Sequence, residues 1–336
     1  MRKEVRLGLV GCGVQGRNLS TALRRVEGGV LAAAADLRDE AAKQLAKEFG
    51  VKTYFLDHHE LLARGDVDGV IIAVPHFALK NVAVDSAKDG KHVFIEKPMA
   101  MNSVEANEIV RAAERVGVKV MVGYCQRYLT GRSSMKSFID RGAIGEIDLV
   151  LGSKGSGLLG GWLLEEPKGG GITRYLGSHL IDQVLWMVGS EAESVSAEVN
   201  DHPTFGVDET SSFTIRFRNG VLASLSLTMR ASKAIDLVEV VGSEGYMKSD
   251  WRENWLFIQS LRMVEYANPT TIQFTEDPVY PMFERELREF VKAVLEDRTP
   301  AITGLDGVRV LEVIDAVFKS SRMGKTVQLP STIDPL

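Results

Sequence analysis

A lysine between a glutamate and a proline, Glu96-Lys97-Pro98, directly follows the aliphatic run Val93–Ile95. In open α/β sheets, ligands bind beyond the carboxyl ends of the strands, so an amine at this position can perform acid–base chemistry on a ligand. Pro98 disfavours a helical backbone at Lys97 and thereby gives the amine a defined direction. Taken alone, the tripeptide also fits a surface Glu–Lys pair at a strand end.

A glycine-rich loop with the pattern G-x-G-x-x-G follows the predicted strand Leu7–Val10 and opens a predicted helix that runs toward Val26. In this context the first glycine permits a tight turn, the second lets the backbone approach a pyrophosphate, and the third lets helix and strand pack closely. The phosphates would lie at the helix N-terminus. The predicted cofactor-binding residues of the loop are Gly11, Cys12, Gly13, Val14, Gln15 and Gly16.

An acidic residue, Asp36, lies twenty residues after Gly16, at the end of the second predicted strand. An acid at this distance hydrogen-bonds the adenosine ribose, and its charge would repel a 2′-phosphate, which favours NAD. Arg38 could pair with such a phosphate, so NADP remains possible. Asp36 could instead cap the helix that begins near Arg38.

A polar stripe lies on the predicted helix Ile172–Val188, where Tyr175, His179, Asp182 and Trp186 are spaced four, three and four residues apart. Residues at these spacings share one face of an α-helix. His179 could be a catalytic acid–base group, or a core histidine whose partner is Asp182.

Other histidines and the cysteines carry weaker signals. His58 and His59 fit a solvated loop or a helix start, whereas His76 follows a strand and could border a cofactor. Cys12 and Cys125 are the only cysteines and lie far apart without C-x-x-C spacing, so neither a disulfide framework nor a zinc site is implied. Because no H-E-x-x-H motif, Cys–His cluster or acidic loop is present, we predict no metal site.

The composition is that of a globular protein, with 45% apolar and 25% charged residues among 336. A net charge of -5 argues against nucleic-acid binding, which requires a basic patch. No apolar run approaches the ~18 residues needed to span a bilayer. We therefore expect a cytoplasmic protein with neither nucleic-acid nor membrane partners.

The distribution of apolar residues predicts two domains. Short aliphatic runs alternate with helical segments in the first third, which predicts βαβ units and a doubly wound parallel sheet in residues 1–123. Residues 124–336 contain alternating stretches with a hairpin-like turn at Arg218–Gly220, followed by two terminal helices. We expect an α+β domain there, with a large open and mostly antiparallel sheet that binds substrate. One sheet face would require solvent or a partner, so a homodimer or homotetramer is expected.

The ordered combination of the glycine loop, Asp36, Val74-Pro75, Glu96-Lys97-Pro98, Arg127 and Gly171…His179…Asp182 resembles the Gfo/Idh/MocA oxidoreductases. The resemblance implies a Rossmann domain, a substrate domain and hydride transfer between a nicotinamide cofactor and a hydroxyl carbon of a sugar, cyclitol or related polyol. It implies Lys97 and His179 as catalytic residues and a commonly cis Lys97–Pro98 bond. Further cofactor contacts are expected from Ala73, Val74, Pro75, His76, Glu96 and Lys97. Substrate contacts are expected from Arg127, Tyr175, Asp182 and Trp162.

Two positions depart from the pattern of this family. Tyr175 stands where an aspartate is frequent, and Lys80 where a histidine is common. An Asp-His-Lys proton relay is therefore not assumed. Two alternatives use the same site: a redox-neutral glycosidase that uses held NAD, and a noncatalytic NAD sensor. The presence of both Lys97 and His179 counts against the sensor.

Overall fold

The computed structural model describes residues 4–277 and 279–330, which form two compact units. The first unit runs through Cys125 and includes Val279–Arg309, whereas the second takes the rest of the described chain from Gln126 onward. Among the described residues, no helix is both long and apolar enough to cross a membrane.

The first unit contains a parallel sheet of six strands in the order β3-β2-β1-β4-β5-β6. Its strands are β1 Val5–Val10, β2 Gly29–Ala35, β3 Tyr54–Phe55, β4 Gly69–Ile72, β5 His92–Glu96 and β6 Val120–Gly123. Its helices include α1 Val14–Leu23, α2 Asp39–Phe49, α3 His58–Leu62, α4 His76–Lys88 and α5 Ser103–Val116. The predicted doubly wound parallel sheet is thus confirmed.

The short aliphatic runs form these strands because both faces of the sheet are covered and the side chains are buried. The strand order reverses between β1 and β4, which lie side by side. Ligands of doubly wound sheets bind at such a switch point, outside the carboxyl ends of the strands. The topology therefore brings the loops after β1 and β4 to the edge where a dinucleotide is expected.

The second unit contains a nine-stranded sheet in the order β14-β13-β12-β11-β7-β10-β9-β8-β15, in which β7 and β10 are parallel and the other neighbours antiparallel. Its strands are β7 Ile147–Gly155, β8 Ala192–Asp201, β9 Asp208–Phe217, β10 Leu222–Thr228, β11 Ile235–Gly242, β12 Gly245–Asp250, β13 Trp255–Ser260, β14 Thr270–Gln273 and β15 Val327–Gln328. Its helices include α6 Thr130–Asp140 and α7 Ser178–Val188. The large, mostly antiparallel sheet is confirmed.

Two segments differ from the sequence pattern. The alternating segment 246–258 is divided between β12 and β13, because Asp250 Oδ1 accepts hydrogen bonds from the backbone N–H groups of Arg252 and Glu253 and turns the chain. The predicted helix 172–188 begins as a π-helical segment, Thr173–Gly177, before α7 continues it. Single π-helical turns are frequent at functional sites.

The chain returns to the first unit through α8, Val279–Leu295, and the start of α9, Gly304–Met323. Helix α8 packs against α1, and the Phe290 ring meets the Phe94 ring edge-on at 5.7 Å. Both of these helices were assigned to the domain 124–336 in the sequence analysis. The return to the first unit depends on contacts between residues far apart in the chain, and amphipathic periodicity does not identify the surface that a helix will cover.

Candidate active site

Three glycines of the loop after β1 occupy positions that explain their type. Gly11 has φ +100°, and a Cβ there would overlap the carbonyl oxygen of Ala73, in the loop after β4. A Cβ at Gly16 would overlap the Gly11 carbonyl oxygen, whereas one at Gly13 would face open space. The first and third glycines thus permit close backbone packing, and the second leaves the helix N-terminus open to a pyrophosphate.

The carboxylate of Asp36 connects the end of β2 to the glycine loop. It accepts hydrogen bonds from the Cys12 backbone N–H and the Arg38 backbone N–H, both at 2.9 Å. Burial opposes ionisation of Asp36, but these two N–H groups and the Arg38 side chain outweigh it and lower its pKa. Asp36 is therefore an oriented anion at the position expected to receive ribose hydroxyls.

The thiol of Cys12 is not a reactive nucleophile. Burial, followed by the negative charge of Asp36, raises its pKa to about 12. Cys12 thus contributes its backbone N–H to the loop rather than a thiolate.

Glu96 ends β5 and lies close to the same loop. The Gln15 side-chain amide donates to Glu96 Oε1 at 2.6 Å, and the Lys97 backbone N–H donates to Glu96 Oε2 at 3.2 Å. Burial lowers the pKa of the Lys97 amine, while the charge of Glu96 acts in the opposite direction. The structure therefore brings Gln15, Glu96 and Lys97 together at the carboxyl edge of the sheet, and the Lys97–Pro98 bond is cis.

The segment Ala73–His76 links β4 to α4 at the same edge. Pro75 is the N-cap of α4, and His76 begins the helix as a buried residue. The predicted cofactor residues thus follow β1, β2, β4 and β5 within one unit. An open helix N-terminus, an oriented acid after β2 and close backbone approach at Gly11 together fit a dinucleotide.

In the second unit, Arg127 and Asp182 form a buried ion pair. Arg127 Nε donates to both carboxylate oxygens at 3.0 and 3.1 Å, and Nη2 donates to Oδ1 at 2.6 Å. The guanidinium also lies 5.6 Å from the centre of the Trp186 ring. Arg127, in the turn after β6, therefore contacts Asp182 and Trp186 of the predicted polar stripe. Asp182 fixes the plane of the guanidinium.

The remaining predicted residues of this unit lie on or near the start of α7. His179 is buried in the first turn of α7, and Tyr175 is half-buried in the π-helical segment. Trp162 is half-buried in the 3-10 turn Gly161–Leu164. Because the π segment widens the helix, the simple face-sharing expected of Tyr175 and His179 in an uninterrupted α-helix does not apply.

Two glutamines near His179 escaped the sequence analysis. Gln183 Nε2 donates to the His179 carbonyl at 3.0 Å and to Gln126 Oε1 at 2.7 Å. Lys154 Nζ donates to the same Gln126 oxygen at 2.7 Å and pairs with Asp236. Burial lowers the pKa of Lys154 to about 8, against the attraction of Asp236. The sequence signal that could have identified this cluster is Lys154, a charged residue at an inward-facing position of a strand with alternating polar and apolar residues.

Asp208, which holds the start of the helical segment that leads into α7, was also not identified in the sequence analysis. Its Oδ2 accepts the Thr173 backbone N–H at 2.7 Å, and a Cβ at Gly171, where φ is +101°, would overlap Oδ1. Burial raises the pKa of Asp208 to about 6, although the bonds from Thr173 oppose it. Gly171 and Asp208 together set where the segment that carries Tyr175 and His179 begins.

Asp57, His58 and His59 have potential ligand atoms within 4.8 Å of one another at the start of α3. Asp57 caps this helix by accepting the His59 backbone N–H, and His58 is hydrogen-bonded to Asp85 at 3.2 Å. The predicted helix start is observed. These side chains are half-buried or exposed, and their contacts are explained by capping and ion pairing.

Two family models match successive parts of the chain. Residues 5–124 match a model described as an oxidoreductase family with an NAD-binding Rossmann fold, and residues 133–248 match the Gfo/Idh/MocA C-terminal domain. The chain belongs to the Gfo/Idh/MocA oxidoreductase family. It is therefore an oxidoreductase with an NAD-binding domain.

Curated relatives of this family match over nearly full length. Myo-inositol 2-dehydrogenase of Thermotoga maritima is 26% identical, covering 98% of this chain and 100% of the relative. The NAD(+)-dependent scyllo-inositol 2-dehydrogenase of Bacillus subtilis is 27% identical, covering 98% of this chain and 97% of the relative. A levoglucosan dehydrogenase solved with NADH superimposes with a TM-score of 0.92 at 22% identity, covering 98% of this chain and 100% of that chain, which shows a shared fold.

Proposed function

We propose that this family member transfers a hydride between NAD and a hydroxyl-bearing carbon of a sugar, cyclitol or related polyol. The proposal rests on the position of Lys97, which follows β5 at the same sheet edge as the glycine loop and Asp36. Gln15 of the loop donates to Glu96, and Glu96 also accepts the Lys97 backbone N–H. Asp36 joins the loop by accepting the Cys12 backbone N–H. The relatives that act on myo-inositol and scyllo-inositol support the substrate class.

Lys97 is proposed to exchange the proton of the reacting hydroxyl. A bound nicotinamide supplies or accepts the hydride, and the alcohol oxygen must lose or gain a proton at nearly the same time. Burial lowers the pKa of the Lys97 amine, so a larger fraction of it is neutral and able to act as a base. Glu96 limits this effect because its charge favours the protonated amine.

The second unit is proposed to bind the substrate. Asp182 orients Arg127 toward a substrate oxygen, while Tyr175 and Trp162 contact neighbouring hydroxyls or the ring. His179 is proposed as a second acid–base group. Asp208 holds the start of its helix through the Thr173 N–H, and Gln183, one turn after His179, hydrogen-bonds Gln126. These contacts limit the positions that the imidazole can take.

NAD is the proposed cofactor rather than NADP. The Asp36 carboxylate is oriented by two backbone N–H groups, so a 2′-phosphate beside it would meet a fixed negative charge. Arg38 is largely exposed and lies 3.3 Å from Asp36, where it already neutralises part of that charge. Asp36 therefore decides the preference in this proposal.

The proposal extends to assembly and location. One face of the large sheet carries aromatic side chains, with the Tyr246 and Phe257 rings 5.7 Å apart and Trp255 two residues before Phe257 on β13. Pairing of this face with a second copy would give the homodimer or homotetramer. Both cysteines are free and buried, which is compatible with the reducing cytoplasm.

The test is cofactor absorbance with a panel of inositols, free sugars and glycosides. Net NADH formation with a polyol or free sugar is the expected result. Cleavage of a glycoside without net NADH would select the redox-neutral hydrolase. Binding of NAD without either reaction would select the sensor, and both of these results would contradict the proposal.

A further inference from the structure

The side chain of Glu286, on α8, is an acid buried where charge is costly. Its exposed fraction is 0%, and within the described ranges neither carboxyl oxygen has a hydrogen-bond partner. An ionised carboxylate in such a place would lose its hydration without compensation. Neither helix packing nor an ion pair accounts for an acid at this position, because Leu287 and Phe290 already supply the buried apolar surface of this part of α8.

Helix α8 lies beside β5, because the Phe290 ring meets the Phe94 ring at 5.7 Å. Glu286 lies one helical turn before Phe290. Glu96 lies two residues after Phe94, on the same face of β5, and is the charged group on this strand that acts on Glu286. Helix α8 packs against α1 and β1, and among the described residues the charges of those two elements are engaged elsewhere: Arg17 pairs with Glu48, and Arg6 pairs with Asp66. Two neighbouring buried carboxyls cannot both ionise easily. The geometry decides which one does, because Glu96 receives the N–H groups of Gln15 and Lys97 while Glu286 receives none within the described chain.

We propose that Glu286 and Glu96 form a buried carboxyl pair in which Glu286 holds the proton and Glu96 the charge. Glu286 is then a positioning residue for the reaction: it limits the negative charge beside Lys97 to that of one carboxylate. This inference rests on the proposed role of Lys97, but the pair itself can be tested without turnover.

The charge state of Glu286 affects the pKa of the Lys97 amine, on which burial and Glu96 act in opposite directions. Burial lowers the pKa of the amine and the charge of Glu96 raises it. A second carboxylate in the pair would raise it further and leave less of the neutral amine required as a base. Burial raises the pKa of both carboxyls, but at Glu96 the Lys97 charge and the two N–H donors oppose the rise. At Glu286 the charge of Glu96 adds to it, so the pKa of Glu286 lies well above its usual range.

The first experiment locates the proton by infrared spectroscopy of the purified full chain at pH 7. The carbonyl stretch of a protonated carboxyl should be present in the wild type, absent in Glu286→Gln and retained in Glu284→Gln. Glu284 lies on the same helix, forms a half-buried ion pair with Arg288 and serves as the matched control. A band that persists in Glu286→Gln, or no band in the wild type, would overturn the assignment of the proton.

A second experiment follows the urea midpoint of unfolding against pH, which requires no substrate. An acid whose folded pKa is raised loses stability as pH rises from its unfolded value of about 4.3 toward its folded value. Glu286→Gln should therefore match the wild type near pH 4 and exceed its midpoint increasingly toward pH 8, whereas Glu284→Gln should show no such growing gain. A constant difference across the range would contradict a neutral Glu286.

The third experiment measures the coupling of the pair to Lys97 through the pH dependence of kcat. Glu286→Gln alone should leave the limb assigned to Lys97 in place, because one neutral group replaces another. In a Glu96→Gln background, Glu286 can take up the missing charge, so adding Glu286→Gln should move the limb to lower pH by about half a unit or more. Equal effects in both backgrounds would reject the coupling. If no substrate turns over, the infrared and unfolding results still decide the proton assignment.

Discussion

The Arg127 guanidinium and the Asp182 carboxylate are joined by three hydrogen bonds between the turn after β6 and the middle of α7. Both side chains are buried, and the geometry uses the planar fork of arginine rather than its charge alone. Asp182 therefore fixes the orientation of Arg127, which is the residue we propose to meet a substrate oxygen.

Arg127→Lys is expected to lower kcat/KM by about 10- to 100-fold, because an ammonium cannot reproduce the fork and a shift of about 1 Å at a substrate contact has this effect. NADH affinity, measured by fluorescence titration, should remain within about twofold of the wild type. Arg141→Lys, on the exposed end of α6, is the control and should be neutral. Unchanged kcat/KM in Arg127→Lys would remove Arg127 from the substrate site.

Lys97→Ala is expected to reduce kcat by about 100-fold or more, the scale of lost acid–base catalysis. Steady-state kinetics and cofactor titration together separate this from a loss of NAD binding, which should be largely retained. Lys88→Ala, in the exposed last turn of α4, provides the comparison. Normal turnover in the Lys97 variant would exclude its proposed role.

Asp36→Ala is expected to weaken NAD binding by about tenfold or more, equivalent to about 1.4 kcal/mol, because the acid that receives the ribose hydroxyls is lost. NADP binding should weaken less or improve, since the repulsion of a 2′-phosphate disappears and Arg38 remains. Calorimetric titration with both cofactors gives the ratio. A parallel loss for both would show that Asp36 only supports the loop through Cys12.

Gly171→Ala is expected to destabilise the protein by about 3 kcal/mol, combining a left-handed backbone with overlap of the new methyl and Asp208 Oδ1. Gly189→Ala separates the two causes, because Gly189 has φ +65° with no atom within 4 Å of the added Cβ. It should lose only about 1 kcal/mol. Urea unfolding measures both, and equal losses would argue against a clash at Asp208.

Asp208 should make stability depend on pH in the acidic range. Its pKa is raised to about 6 in the folded state, from about 3.9 when unfolded, so its contribution is fully present below pH 4 and is lost as pH rises through 6. The change is at most about 3 kcal/mol. Asp208→Asn should remove this part of the pH dependence of the unfolding free energy, and an unchanged slope between pH 4 and 6 would contradict it.

The sequence by itself determined most of the first unit. Its strands are short aliphatic runs buried on both faces, and helices at regular intervals separate them, so a local pattern predicts the parallel sheet. The carboxyl-edge positions of Gly11, Asp36 and Lys97 followed from that sheet, because a residue that ends a parallel strand lies at this edge whatever the rest of the chain does.

Only the tertiary structure decided which distant residues meet. The ion pair of Arg127 with Asp182, the support of Thr173 by Asp208 and the contact of Phe94 with Phe290 join positions separated by tens of residues or more. Periodicity predicts which face of a helix is buried but not which surface covers it. Burial and charge pairing, which set the pKa values of Lys97 and Asp208, arise from those contacts and therefore could not be derived from local sequence.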